Sequence, residues 1–583
     1  MFGKITEIID NYVYVENSTH ELKNNILNIH VVFPEANHRV VGEVLSVNVD
    51  VIKIFLVGEI RNGIFFPGVM RKPSFQTIPR IIYKQELELL IGKQDSNDKS
   101  NIYLGKSVTY EQFDVKINLN DFFSNHFAIV GNSGSGKSCG VARILQNIFQ
   151  DNKAGVPQNA HIVLFDVYGE YNDAFKNANN IPNLGYKSYD VDENYSSIKI
   201  PAYFLDIDDL ALLLNVKSAS QLPILEKTLK LVYIFNSLDA NVQEYKTEII
   251  AESLLDILSS GRNPNQIRDQ IIAILTRYNT KDLNLETPIV QPGYTRTFKQ
   301  CMNIDASGKM AALDLIITYL QQYKQLDLAD IEINNNIKYG LQDIYYALDF
   351  ALISEGVLKS EKVYDEFNVL KVRLQQILNS DNRRFFDEGN ERITKKEYVE
   401  HLFNAEKHYQ IINFNLNNVE ERFIKIITKI ITRLLFNYVT NLRDRGSFPI
   451  HVILEEAHRY VQNDTDVEIL GYNIFERITK EGRKYGIILG LISQRPSEIS
   501  ETAISQCSNF IMFKMFHPRD LKFVSDIIPN ISETVLSRIK VLHPGSCMMF
   551  GTAFPMPILT IVDKPNPEPL SQSCNIDNTW YVE

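Results

Sequence analysis

Residues 127–138 read Phe127-Ala128-Ile129-Val130-Gly131-Asn132-Ser133-Gly134-Ser135-Gly136-Lys137-Ser138. The first four are an apolar run long enough for a short buried strand. The next eight are a complete G-x-x-x-x-G-K-[ST] loop, and a helix is expected to follow over about 137–150. This strand–loop–helix unit places the chain among α/β proteins that bind phosphate through a glycine-rich turn. It also sets the ligand class. Glycines let the loop wrap closely round a polyphosphate, and successive N–H groups then point inward at the anion. The expected nucleotide-binding residues are Gly131, Ser133, Gly134, Ser135, Gly136, Lys137, Ser138 and Cys139. Lys137 can reach the β- and γ-phosphates and Ser138 can ligate Mg²⁺, so ATP and Mg²⁺ are the cofactors expected.

Outward from this loop, composition bounds the rest. A chain of 583 residues holds roughly three or four domain-sized units. Hydrophobic residues at 44% and charged residues at 22% are ordinary for a globular protein. The cysteines Cys139, Cys301, Cys507, Cys547 and Cys574 are scattered, with no C-x-x-C pair. That spacing argues against zinc and against a disulfide scaffold, and fits a reducing, cytoplasmic setting. No apolar run approaches the ~20 residues of a membrane span. The net charge of −11 offers no basic footprint for nucleic acid.

Texture divides the chain into 1–92, 102–204, 205–404, 405–562 and 563–583. The first segment looks all-β. Tyr12–Val15, Val40–Leu45 and Ile52–Val57 are short β-branched and aromatic runs punctuated by Asn, Gly and Pro, which suggests a small barrel. A polar linker, Asp95–Asn101, follows. The second segment holds the phosphate loop and a second buried strand, His161–Phe165, ending at Asp166. The third reads as a helical insertion: Pro264–Tyr278 places Ile267, Ile271, Ile274, Leu275 and Tyr278 on one face, and Thr247–Leu258 stops at Ser259-Ser260-Gly261. The fourth returns to apolar runs at Gln410–Phe414, Ile450–Leu454, Ile487–Ile492, Asn509–Phe513 and Cys547–Phe550. Near-continuous apolar strands separated by helical patterns predict a mostly parallel sheet with helices on both faces. The last segment is a Pro-rich tail, expected to be disordered or docked on a neighbour.

Ile450–Leu454 ends in Glu455-Glu456. In phosphate-loop enzymes such a strand supplies one carboxylate for Mg²⁺ and a second that polarises the attacking water. Glu455 takes the metal role here, where Asp is the more usual residue, and Glu456 the base. Ile487–Ile492 runs into Ser493-Gln494-Arg495-Pro496, where Gln494 can sense the γ-phosphate. Between them, Glu481–Gly486 carries Arg483, flanked by Gly482 and Gly486. Arg483 is the preferred arginine finger, with Arg477 and Arg495 as alternatives. Asp166-x-x-Gly169 formally matches a GTPase switch. Asn279-Thr280-Lys281-Asp282 has the wrong order for a guanine reader, and a GTPase has no place for the Glu455-Glu456 strand.

With the phosphate loop, Asp166-x-x-Gly169-Glu170-Tyr171, Leu454-Glu455-Glu456-Ala457-His458, Gly482-Arg483-Lys484-x-Gly486 and Ser493-Gln494-Arg495-Pro496 in this order, the chain resembles the HerA family of the HerA/FtsK group. The resemblance implies a RecA-like (ASCE P-loop) core interrupted by the helical insertion, with an N-terminal HAS-type barrel. It implies a homohexameric ring, ATP bound between subunits and double-stranded DNA translocated through the centre. It supports Lys137, Ser138, Glu455, Glu456 and Gln494 in the roles above, and a finger near Arg483 supplied in trans. It further implies a partner effector, a nuclease or a sirtuin-like NADase, docked on the barrel, and in bacterial members a role in anti-phage defence. Two alternatives stay open: a ring-shaped ATPase scaffold that regulates an effector without translocation, and a pump of the related conjugation ATPases, for which no membrane span speaks. Arg268 and Arg383-Arg384 are the basic loop candidates for DNA phosphate.

Overall fold

A computed structural model of the chain describes residues 2–18, 26–92, 101–150, 156–176, 181, 184–190, 197–306, 308–324, 337–356, 361–387, 393–462, 466–527, 533–571, 576 and 580. They form two units: 1–197 with 395–464 and 472–583, and 198–394 with 465–471. Residues 95–100 of the expected linker lie outside the described residues.

The first unit opens with an antiparallel sheet. Its strands run in the order Phe2–Ile9, Tyr12–Asn17, Val51–Arg61, Arg39–Val47, His30–Pro34, Arg80–Ile81, and Ile64–Pro67 pairs on Val51–Arg61. Val13, Val15, Val40, Val44, Ile52, Ile54 and Leu56 alternate inward and close a core of their own. Among the described residues the two outermost strands do not pair with each other.

The second sheet of this unit has eleven strands, in the order Tyr186–Tyr189, Ile411–Asn415, Ile162–Asp166, Ile450–Leu454, Ile487–Ser493, Phe127–Val130, Asn509–Phe513, Ser546–Gly551, Ile558–Ile561, Asn101–Ser107, Asp114–Asn118. The first seven are mutually parallel. Their apolar residues are buried on both faces, which is what a continuous rather than alternating run requires. The expected strand around Cys547–Phe550 is present but antiparallel to Asn509–Phe513, and three further antiparallel pairings follow it. An apolar run reports two covered faces and carries no direction, so this reversal was invisible in the residues. The chain visits the sheet out of order. The phosphate-loop strand lies between Ile487–Ser493 and Asn509–Phe513, with two strands separating it from Ile162–Asp166. The carboxyl ends of the parallel strands therefore meet at a topological switch point, where open α/β sheets hold their ligands.

The second unit is mainly helical: Leu222–Asn236, Ala240–Ser259, Pro264–Arg277, Leu313–Gln321, Leu341–Gly356 and Glu361–Leu378. Pro264–Arg277 starts where Pro264 and the Asn263 side chain make a natural stop, the Asn263 carboxamide oxygen accepting from the Asn265 N–H at 2.9 Å. Ile267, Ile271, Ile274, Leu275 and Tyr278 are all buried. The helix expected from Thr247 begins earlier, at Ala240, behind an Asp239 cap, and ends before Gly261 at φ 69°. A hairpin, Pro288–Gln291 with Tyr294–Thr297, interrupts the helices at Pro292-Gly293.

The Pro-rich tail docks on its own chain. Asn566 donates its N–H to Gln146 Oε1 at 2.9 Å, and Gln146 Nε2 donates to the Pro567 carbonyl at 2.9 Å. Further on, the Leu570 N–H donates to the Glu170 carbonyl at 2.8 Å. Residues 563–571 thus run along the helix Lys137–Phe149. No helix among the described residues is long and apolar enough to cross a membrane.

Candidate nucleotide-binding and catalytic site

The phosphate loop is held open by its neighbours. Gly134 and Gly136 take left-handed backbone at φ 72° and 90°. At Gly136 the packing forbids a side chain as well, since a Cβ there would lie 2.7 Å from the Gly545 nitrogen. The Gly131 N–H donates to the Ser493 carbonyl at 3.2 Å and the Asn132 N–H to the Lys514 carbonyl at 2.9 Å. The Ser135 hydroxyl donates to the Asn132 carbonyl at 2.6 Å. Ser133 and Gly134 form the exposed crest. Behind them, the helix Lys137–Phe149 starts with no side-chain cap on Gly136 and no acid in its first turn. Its free N–H groups and positive dipole end are left for an anion. Cys139, one residue past Ser138, is half-buried, with Sγ 3.6 Å from the Ser571 hydroxyl of the tail.

The acidic pair meets this loop as the sequence predicts. Glu455 and Glu456 are both 1% exposed at the end of Ile450–Leu454. Lys137 Nζ lies 3.4 Å from Glu456 Oε1, and Gln494 Nε2 donates to the same oxygen at 2.5 Å. Glu456 sits at φ 48°, left-handed for a non-glycine residue, and its carbonyl accepts from the Arg459 N–H at 2.8 Å. Burial works against ionising Glu456. The His458 hydrogen bond and the Lys137 charge outweigh it and hold the carboxyl down at about 2. Glu456 is therefore a fixed anion, and in this state it neutralises the lysine meant for phosphate.

Glu455 is the opposite case. Burial first, then the charge of Asp166, push it well above the usual carboxylate range, and Lys137 only partly offsets them. Asp166 is raised too, by burial, although the Tyr171 and Glu170 N–H groups donate to it at 2.9 and 3.0 Å. With two carboxyls this close in a buried site, ionising both is disfavoured. The Tyr171 hydroxyl donates to Glu455 Oε1 at 3.3 Å, while Oε2 is buried without a partner. A buried orphan carboxylate oxygen beside the Ser138 end of a phosphate loop fits a divalent cation.

The raised carboxyls have a stability consequence. Both folded-state values lie above the unfolded ones, so this pair costs stability as pH rises past the ordinary carboxylate range. Glu455→Gln removes the group whose ionisation burial opposes, and its amide can still donate to Asp166 and accept from Tyr171. Without nucleotide or Mg²⁺, its Tm at neutral pH should exceed wild type, and the gain should shrink as pH falls through the carboxylate range. A fall in Tm at neutral pH would contradict the raised Glu455 carboxyl.

Two residues near the site went unassigned in the sequence. Glu170, close to Ser138 and Lys137, is raised by burial, and its Oε2 is buried with no hydrogen-bond partner among the described residues. His458 places Nδ1 3.0 Å from Ser493 Oγ and 3.2 Å from Glu456 Oε2. Asp166 at a buried strand's end was the available signal for the first. Only the adjacency of two strand ends reveals the second.

Arg483 is not brought here by its own chain. It is exposed in the turn Gly482–Lys484, before the seven-residue strand Ile487–Ser493, whereas Gln494 follows that strand. The strand is about 20 Å long, so Arg483 lies at the amino ends of the parallel strands, opposite the phosphate loop. There it stands near His126, whose imidazole is lowered to about 4 by burial and by the Arg483 charge. Arg477 pairs with Glu481 at 2.5 Å and Arg495 with Glu498 at 3.1 Å.

The family described as "Helicase HerA, central domain" matches residues 102–293. A probable helicase of Methanocaldococcus jannaschii is 24% identical over 535 residues, covering 91% of this chain and 79% of that protein. The DNA double-strand break repair helicase HerA of Pyrococcus furiosus is 23% identical over 521 residues, covering 89% and 78%. Among solved structures, VirB4 of Thermoanaerobacter pseudethanolicus aligns with 80% of this chain and 97% of its own at 13% identity and a TM-score of 0.42. With the motifs quoted above in the same order along the chain, the central-domain match and the two helicase relatives show a chain that is similar to the HerA helicases.

Proposed function

We propose that this protein hydrolyses ATP as a ring motor that engages double-stranded DNA. The observation that carries the reading is the meeting of Lys137, Glu456 and Gln494 at one switch point, beside an orphaned Glu455 oxygen. The N–H groups from Gly131 to Cys139 receive the phosphates, and Lys137 leaves Glu456 for the β- and γ-phosphates. Ser138 and Glu455 hold Mg²⁺, which when bound screens charge on the phosphate oxygens. Glu456, freed from the lysine, accepts a proton from the attacking water. Gln494 orients that water or reads the γ-phosphate.

In this reading the subunits form a homohexamer. Arg483, remote from its own phosphate loop, serves the site of the next subunit, which explains a guanidinium held out at the amino ends of the parallel strands. The N-terminal sheet docks an effector, a nuclease or a sirtuin-like NADase, and the setting is cytoplasmic anti-phage defence. A second reading, an ATPase scaffold that regulates its effector without moving DNA, is favoured by the net charge of −11.

The ATPase rate with and without double-stranded DNA separates them. A motor that grips duplex should be stimulated severalfold, with the stimulation falling as salt rises. An unchanged rate would leave the scaffold reading in place.

A further inference from the structure

The network round Glu456 contains one group that the hydrolysis scheme leaves unused. Three side chains hold the Glu456 carboxylate. Lys137 and Gln494 both contact Oε1, and His458 alone faces Oε2. Phosphate takes the lysine away when nucleotide binds. What remains on the carboxylate is Gln494 on one oxygen and His458 on the other.

His458 also joins two strand ends. It follows Ile450–Leu454 by four residues, and its Nδ1 lies 3.0 Å from the hydroxyl of Ser493, the last residue of Ile487–Ser493. Ser493 precedes Gln494, and its oxygen already accepts the Arg495 N–H at 2.9 Å. The tautomer follows from these neighbours. If Nδ1 lacked a proton, its lone pair would face Glu456 Oε2 at 3.2 Å, which is repulsive. With the proton on Nδ1, the N–H bonds to Ser493 Oγ, and its positive end lies 3.2 Å from Oε2, a charge–dipole contact outside hydrogen-bond geometry. The ring is mostly buried, at 15% side-chain exposure, so water competes little for that N–H. Glu456 itself occupies a left-handed backbone position that needs an outside tether.

We propose that His458 is a positioning residue: its Nδ1–H fixes the Glu456 carboxylate and couples it to the strand end that carries Gln494. The inference rests on the ATP-hydrolysis reading and extends it. His458 touches neither phosphate nor water. Its effect runs through the orientation of the base, so it belongs to kcat and not to nucleotide binding.

The experiment uses the full chain with Mg-ATP. His458→Phe keeps the ring's bulk and removes the donor. His458→Asn returns an N–H donor close to the place of Nδ1. We expect His458→Phe to lower kcat about 10-fold, the order for losing a close polar contact to a charged group, with KM for ATP within about twofold of wild type. His458→Asn should recover most of that loss. In a Glu456→Gln background, His458→Phe should cost nothing more, because the group it positions is gone. Unchanged kcat in His458→Phe would overturn the proposal. So would a loss confined to KM, a failure of Asn to restore the rate, or a full additional loss on top of Glu456→Gln. A folding defect shows as lowered Tm and lost ATP binding in His458→Phe, and the Asn variant then decides alone. If the wild-type chain hydrolyses no ATP, the hydrolysis reading itself fails; an active wild type with an indifferent His458 rejects only this inference.

Discussion

Glu456→Gln should bind ATP at least as tightly as wild type and turn it over 10²- to 10⁴-fold more slowly, the usual contribution of a positioned general base. The geometry supports both halves. The carboxylate is 1% exposed and held ionised, and it stands on the switch-point side where the phosphate loop opens. An amide of the same shape keeps the fold and removes the proton acceptor. It also removes the anion that Lys137 contacts at 3.4 Å. Phosphate then has no carboxylate to displace, and a nearly buried lysine left without a partner gains more from the ligand. Equilibrium binding of a nucleotide and steady-state hydrolysis on the same preparation check the two halves separately. Wild-type turnover in this variant would remove Glu456 from the chemistry.

Arg483→Ala should abolish hydrolysis while sparing nucleotide binding and the fold. Arginine fingers in phosphoryl transfer contribute about 10³- to 10⁵-fold. Arg483 is exposed, so its truncation should leave Tm close to wild type. Its place at the amino ends of the parallel strands makes the test sharper than loss of activity alone. If Arg483 completes a neighbour's site, mixing Arg483→Ala with Lys137→Ala should restore part of the rate. Some interfaces then combine an intact loop from one variant with an intact arginine from the other. A mixture as inactive as its components would count against a finger in trans. Arg495, beside Gln494 and paired only with exposed Glu498, would become the next candidate.

The part of this site that was legible in the sequence is the part that backbone geometry dictates. A loop that must wrap phosphate needs its glycines at set places, and the strand before it must be short and apolar. Lys137 and Ser138 were proposed from the loop itself, and Glu455, Glu456 and Gln494 from their place just past the end of a buried strand. What escaped depended on which strand ends become neighbours. Glu170 reaches Ser138 because the turn at Gly169, with φ 70°, folds the chain back. His458 meets Ser493 because two successive strands, joined through helices, lie side by side and parallel. Arg483 shows the converse. It falls between the acidic pair and the sensor in sequence, yet a full strand length separates it from both. The helix Ala240–Ser259 was entered late because its first turn, Ala-Asn-Val-Gln, is polar; the Asp239 cap was the better signal. Tail docking was beyond reach of composition. It rests on the side chain of Gln146, which satisfies the backbone of Asn566 and Pro567.

The central claim is that the loop at 131–138 and the acidic strand at 450–456 form one working ATP site. It is tested most directly by titrating Mg-ATP against wild type and Lys137→Ala and following phosphate release in both. The account predicts binding and release by wild type, and neither by Lys137→Ala at the same nucleotide concentrations. Phosphate release by Lys137→Ala at the wild-type rate, or a wild-type chain that binds no ATP, would contradict it.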